Sequence, residues 1–127
     1  MASDDTEILL RPAHEADAAD LARLSEQLGY PITSERARAR LREASADHAL
    51  IVAEADGRVA GLIELRRVRV VMAWRQVEIF ALVVDDVHRG HGIGSRLIEE
   101  AERWAYDLRC GKVRVRSDAS RAWQASS

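Results

Sequence analysis

Arg89 stands just before three closely spaced glycines, Gly90, Gly92 and Gly94, and a run with helical periodicity opens at Ile93. Glycine lets a backbone approach an anion with no Cβ in the way. The first amides of a helix have no intrahelical partner and point at whatever lies ahead of the helix. The Arg89 guanidinium adds a planar fork of donors that matches phosphate oxygens. Together these residues can hold a phosphate-bearing ligand. Upstream, Glu78 sits in the apolar run Val77–Val84, where a carboxylate can act as a general base or simply face solvent. His88 and His91 flank the glycines without a cysteine or carboxylate cluster, so no metal site is expected.

The elements around this stretch must place it. Val77 to Val84 reads as a buried strand and Asp85–Arg89 as a polar turn. Leu97, Ala101, Trp104 and Leu108, with Ile98 and Ala105 beside them, give a helical stripe from Ile93 to Arg109 that Cys110-Gly111 ends. Lys112 to Arg116 alternates as a last strand. Ahead of the central strand, Ile8–Arg11 is a short strand ended by Pro12. Ala18, Leu21, Leu24 and Leu28 form one helix face, closed by Gly29 and Pro31. A second helix, about Ser34 to Glu43, has only Ala37 and Leu41 as an apolar stripe and reads as a surface or lid element. Ala49–Ala53 and Val59–Leu65 are strands joined by an Asp56-Gly57 hairpin turn, the second extending toward Val71. Arg66, Arg67 and Arg69 read either as a solvated strand face or as the lining of an acceptor site. His14 and His48 read as surface residues. The order β-α-α-β-β-β-α-β ends in a crossover and so in a parallel pair.

Two phosphate-binding motifs are excluded by spacing. A dinucleotide fold needs G-x-G-x-x-G directly after a strand, and here the third required position is Ser95. A P-loop needs Gly-Lys followed by Ser or Thr, which is absent. The segment Val77–Asp85 followed by Arg89-Gly90-His91-Gly92-Ile93-Gly94 instead resembles the acetyl-CoA-binding motif of the GNAT acyltransferases, Gln/Arg-x-x-Gly-x-Gly/Ala after a central strand. The resemblance covers residues 8 to about 117. It implies an α/β fold with a mixed, mostly antiparallel sheet, helices on both faces, and a sheet splayed at the acetyl-CoA cleft. It implies that Arg89, Gly90, His91, Gly92, Ile93, Gly94 and Ser95 hold the pyrophosphate of coenzyme A, and that Leu82, Val83 and Val84 line its pantetheine arm. The strand before the loop then carries a bulge, free backbone groups of Leu82 and Val84 pair with that arm, and the Leu82 amide polarises the thioester carbonyl. Glu78 becomes the candidate general base.

Composition bounds the rest. The chain has 127 residues, 47% of them hydrophobic and 31% charged, with a net charge of −2. One globular domain is expected, and the resemblance implies a GNAT domain over residues 1–127. The charge argues against nucleic acid as a partner, and no apolar run reaches membrane-spanning length. Cys110 is the only cysteine, so no intrachain disulfide forms, and a cytoplasmic protein is expected. The resemblance implies an acetyl-CoA-dependent N-acetyltransferase acting on a primary amine of a small molecule or a protein. Family members usually continue past the last strand with another helix and two strands, and with a tyrosine that protonates the leaving thiolate. Here residues 118–127, with Trp123, form an atypical tail, and Tyr30 and Tyr106 stand elsewhere. That departure keeps two alternatives open, a CoA-binding sensor without catalysis and an interaction domain that dimerises through its exposed sheet edge.

Overall fold

The computed structural model of the protein describes residues 7–43, 45–69 and 75–115. Its strands are β1 (Ile8–Pro12), β2 (His48–Ala55), β3 (Arg58–Val68), β4 (Gln76–Val84) and β5 (Val113–Val115). Its α-helices are α1 (Ala18–Leu28), α2 (Ser34–Leu41) and α3 (Ile93–Asp107). The strands lie side by side in the order β1-β2-β3-β4-β5. The first four pair antiparallel, while β4 and β5 are parallel because α3 carries the chain across the sheet between them. This is the architecture expected from the sequence. The extension of β3 toward Val71, residue Arg116 of the last strand, and the tail 118–127 with Trp123 lie outside the described residues.

Local signals set the element ends. Asp56 and Gly57 turn β2 into β3 with φ of 56° and 75°, the two-residue geometry whose twist suits paired strands. Thr33 caps α2, its Oγ1 accepting from the Arg36 N–H at 3.1 Å. Gly29, at φ 98°, closes α1, with its N–H donating to Glu26 O and the Tyr30 N–H donating to Ser25 O. At the end of α3 the same pair of bonds recurs, Arg109 N–H to Tyr106 O and Cys110 N–H to Ala105 O. There Arg109 occupies the left-handed position at φ 58°, so the stop precedes Cys110-Gly111 and rests on a residue that pays for its Cβ.

Two apolar layers sandwich the sheet. On one face Ile93, Leu97, Ala101 and Ala105 of α3 pack on Ile63, Leu65, Val77, Ile79, Leu82 and Val84. On the other, Leu21 and Leu24 of α1 and Ala37 of α2 pack on Val52, Val59, Leu62 and Val83. The expected α3 stripe is therefore rotated: Trp104, Leu108 and Ile98 are only partly buried at its flank, and Ile93 and Ala105 take the centre. The reason lies at Gly61 on β3. A Cβ there would stand 3.0 Å from Ile93 Cγ2 and 3.2 Å from Leu97 Cδ1. The missing side chain lets the first turn of α3 settle directly onto the sheet. α2, read as a surface or lid element, is tied down by Ala37.

Two substitutions test these constraints by urea denaturation. Arg109→Gly is expected to stabilise the fold by about 1 kcal/mol, the relief of one left-handed non-glycine residue. Gly61→Val is expected to destabilise it by about 1–3 kcal/mol through overpacking beneath α3.

Candidate functional site

The end of β4, the turn after it and the start of α3 form the site's first part. A single 3-10 turn at Asp86–His88 leads into Arg89, then Gly90 and Gly92 at φ 86° and 81°. A Cβ at either glycine would meet open space, so backbone conformation and not crowding requires glycine there. Gly92 is the N-cap of α3 and offers no side chain to bond the helix, and the first helical bond runs from Arg96 N–H to Gly92 O at 3.1 Å. The amides of Ile93, Gly94 and Ser95 therefore have no intrahelical partner. No acidic residue occupies the first turn of α3. His91 and Gly92 are exposed, as are Gly90 and Ser95, while Ile93 and Gly94 are buried under them. The result is an open concavity of donors at the positive end of a helix, suited to an anion.

β4 prepares the ground beside it. Glu64 of β3 pairs with Ala81, and the next residue, Leu65, pairs with Ile79, so Phe80 is an extra residue in β4 and forms the expected bulge. β5 pairs with Val77, Glu78 and Ile79 only. Asp85 N–H donates to Ala60 O at 2.7 Å. Because backbone direction alternates along a strand, the N–H and C=O groups of Leu82 and Val84 point away from β3, toward the β5 side. The Val84 carbonyl is already engaged, accepting from Arg89 Nε at 3.1 Å. This narrows the expected set of free backbone groups, and it fixes Arg89 beside the concavity with its two terminal nitrogens left over.

A buried network ties that loop to α1. Asp85 is 2% exposed. It accepts from Arg23 Nη1 at 2.6 Å and from Gln27 Nε2 at 3.2 Å. Gln27 Oε1 in turn accepts from the Asp86 N–H at 3.0 Å, and Arg23 Nη2 donates to Val59 O at 2.8 Å. Burial pushes the Asp85 carboxyl up. The hydrogen bonds from Gln27 and Arg23, the Arg23 charge and a bond involving Asp86 outweigh it, and the carboxyl is drawn down to about 2 from 3.8. His88 turns its Nδ1 inward, 3.9 Å from Asp85 Oδ2.

The opposite side of β4 faces α1 and α2 across a cavity of about 590 Å³, lined in part by Leu28, Tyr30, His48, Glu64, Phe80 and Ala81. His48, read as a surface residue, is half-buried here, with its Nε2 2.8 Å from Glu64 Oε2. This carboxylate–imidazole pair escaped sequence reading because its members are on different strands. Its only sequence trace is a carboxylate interrupting the apolar run of β3. Glu78 lies on the same sheet face, since Val77 and Ile79 pack toward α3. It accepts from Gln76 Nε2 at 3.1 Å, stands between Arg66 and Arg114 in the strand register, and does not line the cavity. Of the three arginines on β3 and just after it, Arg66 reaches the cavity, with its guanidinium carbon 5.4 Å from the centre of the Phe80 ring. Arg67 bonds Asp47 through Nε at 2.7 Å, and Arg69 is exposed. No cluster of metal-binding side chains occurs among the described residues, and none of their helices is long and apolar enough to cross a membrane.

Comparison with known proteins yields a family and a fold. Residues 16–124 match the model of the acetyltransferase (GNAT) family. No curated protein matches the chain. Among solved structures, it is similar to a GNAT family acetyltransferase from Staphylococcus aureus, at 23% identity and TM-score 0.78, over 87% of this chain and 86% of that one. It is similar to the aminoglycoside N-acetyltransferase AAC(6')-Iy in complex with CoA, at 17% identity and TM-score 0.79, over 100% of this chain and 91% of that one. A ribosomal-protein-alanine N-acetyltransferase from Brucella melitensis aligns at 21% identity and TM-score 0.74, over 87% and 80% of the two chains.

The Asp85 network makes a pH prediction. Its carboxyl is depressed in the fold, so its contribution is full above the ordinary value of 3.8 and is lost as pH falls through about 2. Denaturation between pH 5 and 2 is expected to show stability falling with acid, and Asp85→Asn to flatten that fall. At neutral pH, Arg23→Ala is expected to cost about 3 kcal/mol by leaving a buried carboxylate unpaired.

Proposed function

Since this chain belongs to the acetyltransferase (GNAT) family, we propose that it moves an acetyl group from acetyl-CoA to a primary amine by direct attack. The observation that carries the reading is the bare N-terminus of α3, presented by Gly90 and Gly92 at the end of a strand whose outward backbone groups face the β5 side. Arg89 to Ser95 would hold the pyrophosphate, through the free amides of α3 and the terminal nitrogens of Arg89. Leu82, Val83 and Val84 would border the pantetheine arm. When bound, acetyl-CoA supplies a thioester whose acyl carbon the amine attacks as the carbon–sulfur bond breaks. The Leu82 N–H, directed away from β3, would donate to the carbonyl oxygen as charge grows on it. The similarity to an enzyme solved with CoA supports the cosubstrate.

The amine must be neutral to attack, and an ordinary alkylamine near pKa 10.4 is mostly protonated at neutral pH. Two carboxylates could receive its proton, Glu78 and Glu64. The geometry favours Glu64, which lines the cavity, stands opposite Ala81 next to Leu82, and is held by His48. Glu78 is half-buried one step below the bulge and occupied with Gln76. The acceptor, small molecule or protein, would enter between α1, α2 and the sheet.

Millimolar acetyl-CoA is expected to raise the melting temperature by several degrees, since saturation at 100 Kd contributes about 2.7 kcal/mol. Gly92→Glu should abolish the shift by setting a carboxylate where the anion belongs, and Arg89→Ala should reduce it without straining the backbone. No shift with the wild-type chain would sink the reading. With free thiol as the readout, Glu64→Gln is expected to lower kcat by about 10²–10⁴ and to remove the rising limb of the pH–rate profile. Glu78→Gln is expected to stay within a few-fold of wild type, and the reverse order would assign the base to Glu78.

A further inference from the structure

The charges around the cavity say what the acceptor carries besides its amine. Arg36 and Arg40 stand one turn apart on one face of α2, and both line the cavity, with Arg66 joining them from β3. Like charges at this spacing destabilise a helix, so the fold gains nothing from the pair. The side chains of Arg36 and Arg40 are exposed and make no hydrogen bond or ion pair among the described residues. Some arginines elsewhere have carboxylates, Arg11 with Asp17 and Glu54, Arg23 with Asp85, and Arg42, just after α2, with Glu15. Arg38 of α2 is exposed and, like Arg36 and Arg40, makes no ion pair among the described residues; what sets Arg36 and Arg40 apart is that both line the cavity. Two carboxylates line the same cavity. Glu64 is shared between His48 at 2.8 Å and Arg66 at 3.8 Å, and Glu43 is exposed beyond the end of α2. Three guanidiniums thus face two carboxylates, one of them already engaged on both sides.

We propose that the acceptor is a small amine bearing an anionic group, a carboxylate or a phosphate, which Arg36 and Arg40 receive while the amine lies at Glu64 and His48. The inference rests on the reading of this cavity as the acceptor site. Guanidinium pairs bind either anion through parallel N–H donors, and a cavity of about 590 Å³ suits a small molecule. A polycation such as an aminoglycoside would set ammonium groups against Arg36 and Arg40, so the charge that attracts one class rejects the other. The fold similarity to aminoglycoside acetyltransferases therefore does not extend to their acceptor.

The test compares matched amines on the full chain: β-alanine against β-alaninamide, phosphoethanolamine against ethanolamine, and sisomicin as a polycation. Thiol release from acetyl-CoA gives kcat/KM, and calorimetry on the CoA-loaded protein gives binding. The anionic member of at least one pair is expected to lead by about ten-fold or more, with sisomicin last. The pair that leads distinguishes carboxylate from phosphate. Arg36→Ala/Arg40→Ala should erase the lead while the thermal shift with acetyl-CoA persists, which shows that the variant is folded. A lead for the neutral amine or for sisomicin, or a lead that survives in the double variant, overturns the proposal. Should no amine release thiol, arginine-dependent binding of the anionic members upholds an anion site at Arg36 and Arg40 and overturns its assignment to an acceptor, and absence of such binding overturns the site itself.

Discussion

Asp85 is the first residue after β4, where the chain leaves the sheet for the glycine-rich loop, and its carboxylate is buried against Arg23 of α1. A buried charge is tolerated only when its partners replace the water it loses, and here Arg23 and Gln27 both donate to it. The same Arg23 bonds the Val59 carbonyl of β3, and the same Gln27 accepts from the Asp86 amide. One satisfied charge therefore ties α1 to the β3 start and to the loop before Arg89, two pieces that the backbone already joins through Asp85 N–H and Ala60 O. On one side of this joint lie the free amides of α3, and on the other lies the wall of the cavity that holds His48 and Glu64. The ion pair thus lies between the glycine-rich loop and α1, whose Leu21, Ser25 and Leu28 line the cavity.

The second constraint is one extra residue. Phe80 lies at the register shift where Ala81 and Ile79 face consecutive residues of β3, so β4 bends there. Below the bulge, β4 keeps β5 at Val77–Ile79. Above it, Leu82 and Val84 turn their backbone polar groups to the β5 side, where Arg89 takes the Val84 carbonyl. The bulge also places Phe80 and Ala81 on the cavity side, bringing Arg66 over the aromatic ring and Glu64 opposite Ala81. A local irregularity thus serves both faces of the site.

Much of this was legible in the chain. Gly29, Asp56-Gly57 and Pro31 punctuate elements by backbone conformation, which is a property of the residue itself. The loop Arg89–Ser95 was legible for the same reason, because its glycines are demanded by positive φ at positions 90 and 92. The centre of α3's apolar face was read one step off. Periodicity finds a stripe, but Gly61 on a distant strand decides which part of the stripe touches the sheet. His48 was read as a surface residue because its partner, Glu64, is brought opposite by strand pairing. Arg66, Arg67 and Arg69 looked alike in sequence, and the structure sets Arg66 over Phe80, pairs Arg67 with Asp47 and leaves Arg69 exposed.

By itself the sequence determined the element order, the hairpin, the stop of α1 and the glycine-rich helix entry after β4. These follow from short-range physics: which φ a residue tolerates, which amides a helix leaves unpaired, which periodicity buries apolar groups. Only the tertiary structure decided which carboxylate meets an imidazole, which arginines gather at one cavity, and which backbone groups of β4 face the β5 side. Those depend on register, on a one-residue bulge and on a buried ion pair between residues far apart in the chain. Charges act through space, and the spacing along the chain does not carry their distances.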